Sequence, residues 1–157
     1  MRIKYGKVKF GFRDTYGVHH TLRPIIHDWL VNFKKTIQEV DGRGGCIGVP
    51  SNVMSDLGIN PDENGSYSEE RLEEGIQKWY EVLDEMIYGF SEEPPIPDDV
   101  DFTMRTVKEY DNGMTEVTVD ITNRTSYDAY LEREREFYRR AEKGRELFAK
   151  YFENLWW

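Results

Sequence analysis

Polar and apolar residues alternate at the start of the chain: Val8, Phe10 and Phe12 against Lys7, Lys9 and Gly11. This period of two predicts a strand over residues 2–12. Ile3 and Tyr5 fall on the opposite parity, and a bulge or kink at Gly6 would bring both sets to one face. The period then lengthens. Leu22, Ile25, Ile26, Trp29, Leu30, Phe33, Ile37 and Val40 form a continuous helical stripe, which predicts a helix over about 21–40. Thr21 is its expected N-cap, Pro24 falls in its first turn, and the glycines after Asp41 stop it.

Residues 46–67 are less regular, with a short helix expected between Pro50 and Leu57 and a turn-rich loop at NPDENGS. Ser66 or Ser68 caps the next helix, and Glu69 and Glu70 suit its positive end. Leu72, Ile76, Trp79, Leu83, Met86 and Phe90 step by four and three residues in turn, a heptad-like seam. Tyr80 and Ile87 widen that seam. SEEPPIPDDVD is a proline-rich connector.

A hairpin follows over 102–122, turning at Asp111-Asn112-Gly113. A two-residue loop would set Glu109 against Glu116. A three-residue loop with a left-handed Gly113 pairs Val107 with Val117 and Lys108 with Glu116, and is preferred because opposite charges then face each other. The last helix is predicted from Thr125 or Ser126 onward. Its seam reads Tyr127, Leu131, Tyr138, Ala141, Phe148, Phe152 and Leu155, interrupted by Glu134 and Arg145. Either it bends near Gly144 or its charged middle stands in solvent. Phe148, Tyr151, Phe152, Leu155 and Trp156 share one face near the end, so the helix is expected to dock there into the core, while Trp157 falls off that face and is a candidate partner contact.

These elements predict an α+β fold. A small antiparallel sheet, made of the N-terminal strand and the 102–122 hairpin, packs on three amphipathic helices. The 157 residues fit a single domain spanning 1–157. Hydrophobic content is only 38%, but the 14% of aromatic residues bury enough area to build a core.

The formal charge of −9 opposes non-specific binding to a nucleic-acid backbone and suits a basic partner. The lone Cys46 allows no intrachain disulfide and no four-cysteine zinc site. The alternating N-terminus is not patterned as a secretory signal, and no apolar run is long enough for a spanning helix. No membrane association is expected, and the compartment is read as cytoplasmic.

Catalytic signatures are sparse. His19, His20 and His27 are candidate metal ligands, but their spacing is looser than the i, i+4 pairs that zinc favours. GRGGCIG lacks the strand before it and the Gly-Lys-Ser/Thr that a phosphate loop needs, so it reads as a helix stop. No histidine stands near Cys46 in sequence, which argues for a small buried hydrophobe over a nucleophile. Arg13, Asp14 and Arg43, at element ends, are the candidate ligand-binding residues. No cofactor is expected.

Three stretches carry a resemblance: FGFRDTY with LRPIIHDWL, KWYEVLDEMIYGF, and GRELFAKYFENLWW. Together they resemble a family of small acidic proteins encoded by tailed bacteriophages. Trp79, Leu83, Asp84, Met86, Ile87 and Phe90 match one recurring helix; Gly144, Leu147, Phe148, Tyr151, Leu155 and Trp156 match an aromatic C-terminal helix. The pattern differs at Gly89, where alanine is expected, and at Val18-His19, where a Leu-Asp-like pair is expected. The matching positions form core, so the resemblance carries a fold and no active site. It implies a phage accessory protein in the cytoplasm of the infected host.

The expectation from all of this is a non-enzymatic binding protein that captures a host or phage protein or a small signalling ligand, with a counter-defence role. Two alternatives stay open: a metal-dependent hydrolase using His19, His20 or His27, and a structural or assembly protein forming a homo-oligomer.

Overall fold

The computed structural model describes residues 2–4, 7–9, 17–41 and 49–155; residues 2–4, 7–9, 40 and 41 are described by backbone alone. The chain divides into two compact units. One comprises Met1–Ser91 with Arg140–Trp157, the other Glu92–Arg139. The fold is α+β with small antiparallel sheets.

In the first unit, β1 (Arg2–Lys4) pairs with β2 (Lys7–Lys9) as an antiparallel hairpin of its own. The sheet therefore differs from the one the alternation suggested. β1 and β2 pair with each other instead of joining the 102–122 strands, and each pair of strands forms a separate two-stranded sheet; Tyr5, Gly6 and residues 10–12 of the expected strand lie outside the described residues.

Helix α1 runs from Val18 to Asp41. It starts at Gly17, whose φ of +77° suits a residue without a Cβ, and not at Thr21. Pro24 consequently lies inside the helix, where it lacks the N–H that would reach the His20 carbonyl. Leu30, Phe33 and Ile37 are buried, whereas Trp29 stays 44% exposed and stacks on Phe33 at 5.4 Å. Helix α2 (Ser51–Asp56) buries Val53 and Met54.

Helix α3 (Glu69–Gly89) begins at Ser68, whose hydroxyl accepts the Arg71 N–H, and buries Trp79, Leu83 and Met86 as the heptad-like seam requires. The glycines Gly75 and Gly89 are buried on the same helix.

Helix α4 runs unbroken from Arg124 to Tyr151, through Gly144, and a 3₁₀ turn follows over Phe152–Asn154. Its length is about 42 Å at 1.5 Å per residue. Its N-cap is Asn123, whose side-chain oxygen accepts the Ser126 N–H at 3.1 Å, so the helix starts slightly earlier than Thr125 or Ser126. Within the first unit its buried positions are Ala141, Gly144 and Tyr151, and Leu155 is buried just beyond it. Within the second they are Tyr130 and Phe137. This is a seam shifted from the expected one: Tyr138 and Phe152 point to solvent, and Phe137 and Tyr151 take the interior.

The first unit's core gathers Leu30, Phe33 and Ile37 from α1, Val53, then Trp79, Leu83 and Met86 from α3, and finally Tyr151 and Leu155. Trp79 meets Tyr151 edge-on at 5.7 Å. Burying such side chains contributes about 1.5–3 kcal/mol each. The aromatic C-terminal segment thus reaches the interior through Tyr151 and Leu155, while Phe152 does not; Trp156 lies outside the described residues.

The second unit contains the hairpin β3 (Phe102–Glu109) and β4 (Thr115–Ile121), the connector before it and the first part of α4. Its loop is Asp111-Asn112-Gly113 with Gly113 at φ +79°, and Lys108 does face Glu116. Val107 does not face Val117. It is a bulge, and Thr106 takes that place. The connector is tied to the helix start, because the Asp99 carboxylate accepts from both Asn123 Nδ2 and Ser126 Oγ at 2.7 Å. Phe102 meets Tyr127 edge-on at 5.4 Å, and Tyr127 lies over Tyr130 at 6.1 Å. No residue of β3 is buried, so the hairpin is an open ribbon.

Candidate functional site: the open ribbon of the acidic unit

The predicted site residues are not brought together. Arg13, Asp14, Arg43, Cys46 and Trp157 lie outside the described residues. His19 and His20 belong to the first turn of α1, with ring centroids 3.8 Å apart, so His20 does not precede the helix. His27 lies further along and contacts the Asp28 carboxylate through Nδ1 at 3.1 Å. Among the described residues no three His, Cys, Asp or Glu side chains converge on a point that could hold a metal.

Most polar clusters hold the fold together. Arg140 grips Glu85 from Nη2 at 2.8 Å and Nε at 3.2 Å while its guanidinium lies over the Tyr88 ring, 3.9 Å from the centroid. Lys150 bonds Asp56 at 2.8 Å, and this hydrogen bond holds the Asp56 carboxyl below its ordinary range while raising Lys150. In the second unit the buried Tyr130 donates its hydroxyl to Glu134 at 2.8 Å. That hydrogen bond first, then burial and the nearby carboxylate charge, push the Tyr130 hydroxyl up to about 12.

The surface that stands apart is the β3–β4 ribbon. Strand alternation places Phe102, Met104 and Thr106 on one face with their partners Ile121, Val119 and Val117. This face is apolar and exposed: Met104 is 75% accessible, and Val117 and Val119 about half. The other face carries Thr103 and Arg105 opposite Asp120 and Thr118, with Arg105 and Asp120 in a 3.5 Å ion pair. Charge divides between the strands. On this face β3 carries Arg105 and Lys108, and β4 carries Glu116 and Asp120. Each strand has one edge with no strand partner among the described residues.

The ribbon also sits in the more acidic part of the chain. The unit Glu92–Arg139 holds 13 acidic and 6 basic residues, a formal −7 of the chain's −9. The alternation of 102–122 was legible in the sequence, but it read as a half-buried sheet. What the sequence did not show is that no strand residue is buried and that each strand keeps an edge with no strand partner among the described residues.

Fold and site define an α+β protein with a helical core and an open acidic β-ribbon. The chain matches no protein-family model, no curated protein and no solved structure. No helix among the described residues is long and apolar enough to cross a membrane.

Proposed function

We propose that the protein acts by binding another protein, and that the β3–β4 ribbon is its recognition surface. The observation that carries this reading is the exposed apolar face running through Met104, Val117 and Val119. Contiguous exposed apolar surface of this kind marks interaction sites. An unpaired strand edge beside it offers a row of backbone donors and acceptors to an incoming strand. The acidic setting favours a partner that carries basic residues next to its apolar ones. The resemblance to small acidic phage proteins supports an accessory role in the cytoplasm of an infected cell, with a host protein as the target and counter-defence as the purpose.

The test is affinity purification from infected cells with the wild type and a Met104→Lys/Val119→Lys variant. Both positions are exposed, so the variant is expected to melt like the wild type. The wild type should recover a reproducible partner and the variant should lose it. Recovery of no partner, or equal recovery by the variant, overturns the reading.

A further inference from the structure

We propose that the outer edge of β4 is a docking site for the N-terminal hairpin of a second copy of this chain. This rests on the reading of the ribbon as a recognition surface and names the segment that fits it.

The selection begins with charge. The first 13 residues contain Arg2, Lys4, Lys7, Lys9 and Arg13 and no acidic residue. In the β1–β2 hairpin the cross-strand pairs Arg2↔Lys9 and Lys4↔Lys7 are wholly cationic, and Ile3↔Val8 between them is apolar. The hairpin is therefore a strand pair of alternating cationic and apolar positions. Like charges set opposite each other in a sheet destabilise it and opposite charges stabilise it, by about 0.2–1 kcal/mol a pair.

The two edges of the β3–β4 ribbon are not equivalent to such a strand. On the polar face β3 carries the cations Arg105 and Lys108, which oppose a cationic neighbour. On that face β4 carries Glu116 and Asp120, both exposed, with Thr118 between them. A β1–β2 strand added to β4 keeps parity on both faces. Its cationic positions continue the face of Glu116 and Asp120. Its apolar positions continue the face of Val117, Val119 and Ile121. A one-residue slip would set cations among the valines, so the alternation fixes the register. Main-chain hydrogen bonds of the added strand hold it, as in other cases of strand addition.

A second copy brought together through two ribbons instead would set one −7 unit against another. Hairpin-to-ribbon contact avoids that repulsion.

The experiment is sedimentation velocity on the full-length chain over a range of concentrations and salt, with melting curves to show that each variant folds. The wild type should self-associate at low salt and do so at least tenfold more weakly at about 1 M salt, where screening reaches within about 3 Å. Reversing the hairpin (Arg2→Glu/Lys4→Glu/Lys7→Glu/Lys9→Glu) should abolish association. So should reversing the edge (Glu116→Lys/Asp120→Lys). Mixing the two reversed chains should restore it, because each then offers the other a complementary pair. A wild type that is monomeric at every concentration overturns the proposal. So does association unchanged by the hairpin reversal, or a mixture that fails to associate. If the wild type is monomeric but still loses its cellular partner on Met104→Lys/Val119→Lys, only the self-association is wrong; a partner retained by that variant removes the ribbon as recognition surface.

Discussion

Gly144 of α4 lies directly on Gly89 of α3. A Cβ built on Gly144 would stand 2.9 Å from the Gly89 Cα and 2.1 Å from the Glu85 carbonyl oxygen, and one built on Gly89 would stand 2.8 Å from the Gly144 carbonyl carbon. The two helix backbones meet without side chains between them, which explains why glycine occupies both position 89 and position 144.

Alanine normally stabilises a helix by about 1 kcal/mol over glycine. At Gly144 the neighbour is backbone, which cannot swing away, so Gly144→Ala should instead destabilise by about 1–3 kcal/mol, and Gly89→Ala likewise. Gly75 differs because the atoms that a Cβ would meet there are Sδ and Cε at the end of the Met54 side chain. Gly75→Ala should cost less than Gly144→Ala. Chemical denaturation of the three variants checks the order; a stabilised Gly144→Ala would show that the helices can part.

The C-terminal seam has its own test. Leu155 is buried and Phe152 is 57% exposed. Leu155→Ala should lose about 2–5 kcal/mol, and Phe152→Ala less than about 1 kcal/mol, mainly from its edge contact with Phe148. A chain lacking residues 148–157 should melt well below the intact one. Comparable losses at 152 and 155 would contradict the observed register.

Arg140 joins α4 to α3 by two means at once, a forked hydrogen bond to Glu85 and a stack on Tyr88. The pair is partly exposed, so solvent screening keeps its worth modest. Arg140→Ala should destabilise by about 1 kcal/mol. Arg140→Lys should not recover the loss, because an ammonium cannot make the fork. Full recovery by lysine in thermal melts would reduce the contact to simple charge.

Tyr130 supplies a pH signature. Its hydroxyl is pushed up to about 12 by Glu134, against about 10 in an unfolded chain. A raised folded value means that the protonated form is favoured by folding. The resulting stability is complete below about pH 10 and is lost as pH rises from there through about 12. Tyrosinate absorbance should show a late phase from Tyr130, and Glu134→Gln should bring that phase to lower pH. A late phase that survives Glu134→Gln would place its cause elsewhere.

The sequence by itself determined the helices and much of their interior. Trp79, Leu83 and Met86 are buried because their four-and-three spacing leaves them on one face of α3 whatever that face meets. Gly113 set the hairpin loop because the turn needs a positive φ. The tertiary structure decided what two equally good patterns left open. Helix α4 carries aromatic residues at both 137 and 138 and at both 151 and 152, so periodicity alone could not choose a seam. Helix α3 chose it in the first unit, since only the face with Ala141 and Gly144 lets the backbones close. Exposure of the ribbon was likewise not in the alternation, because a period of two says which residues share a face and not whether anything in the chain comes to cover it.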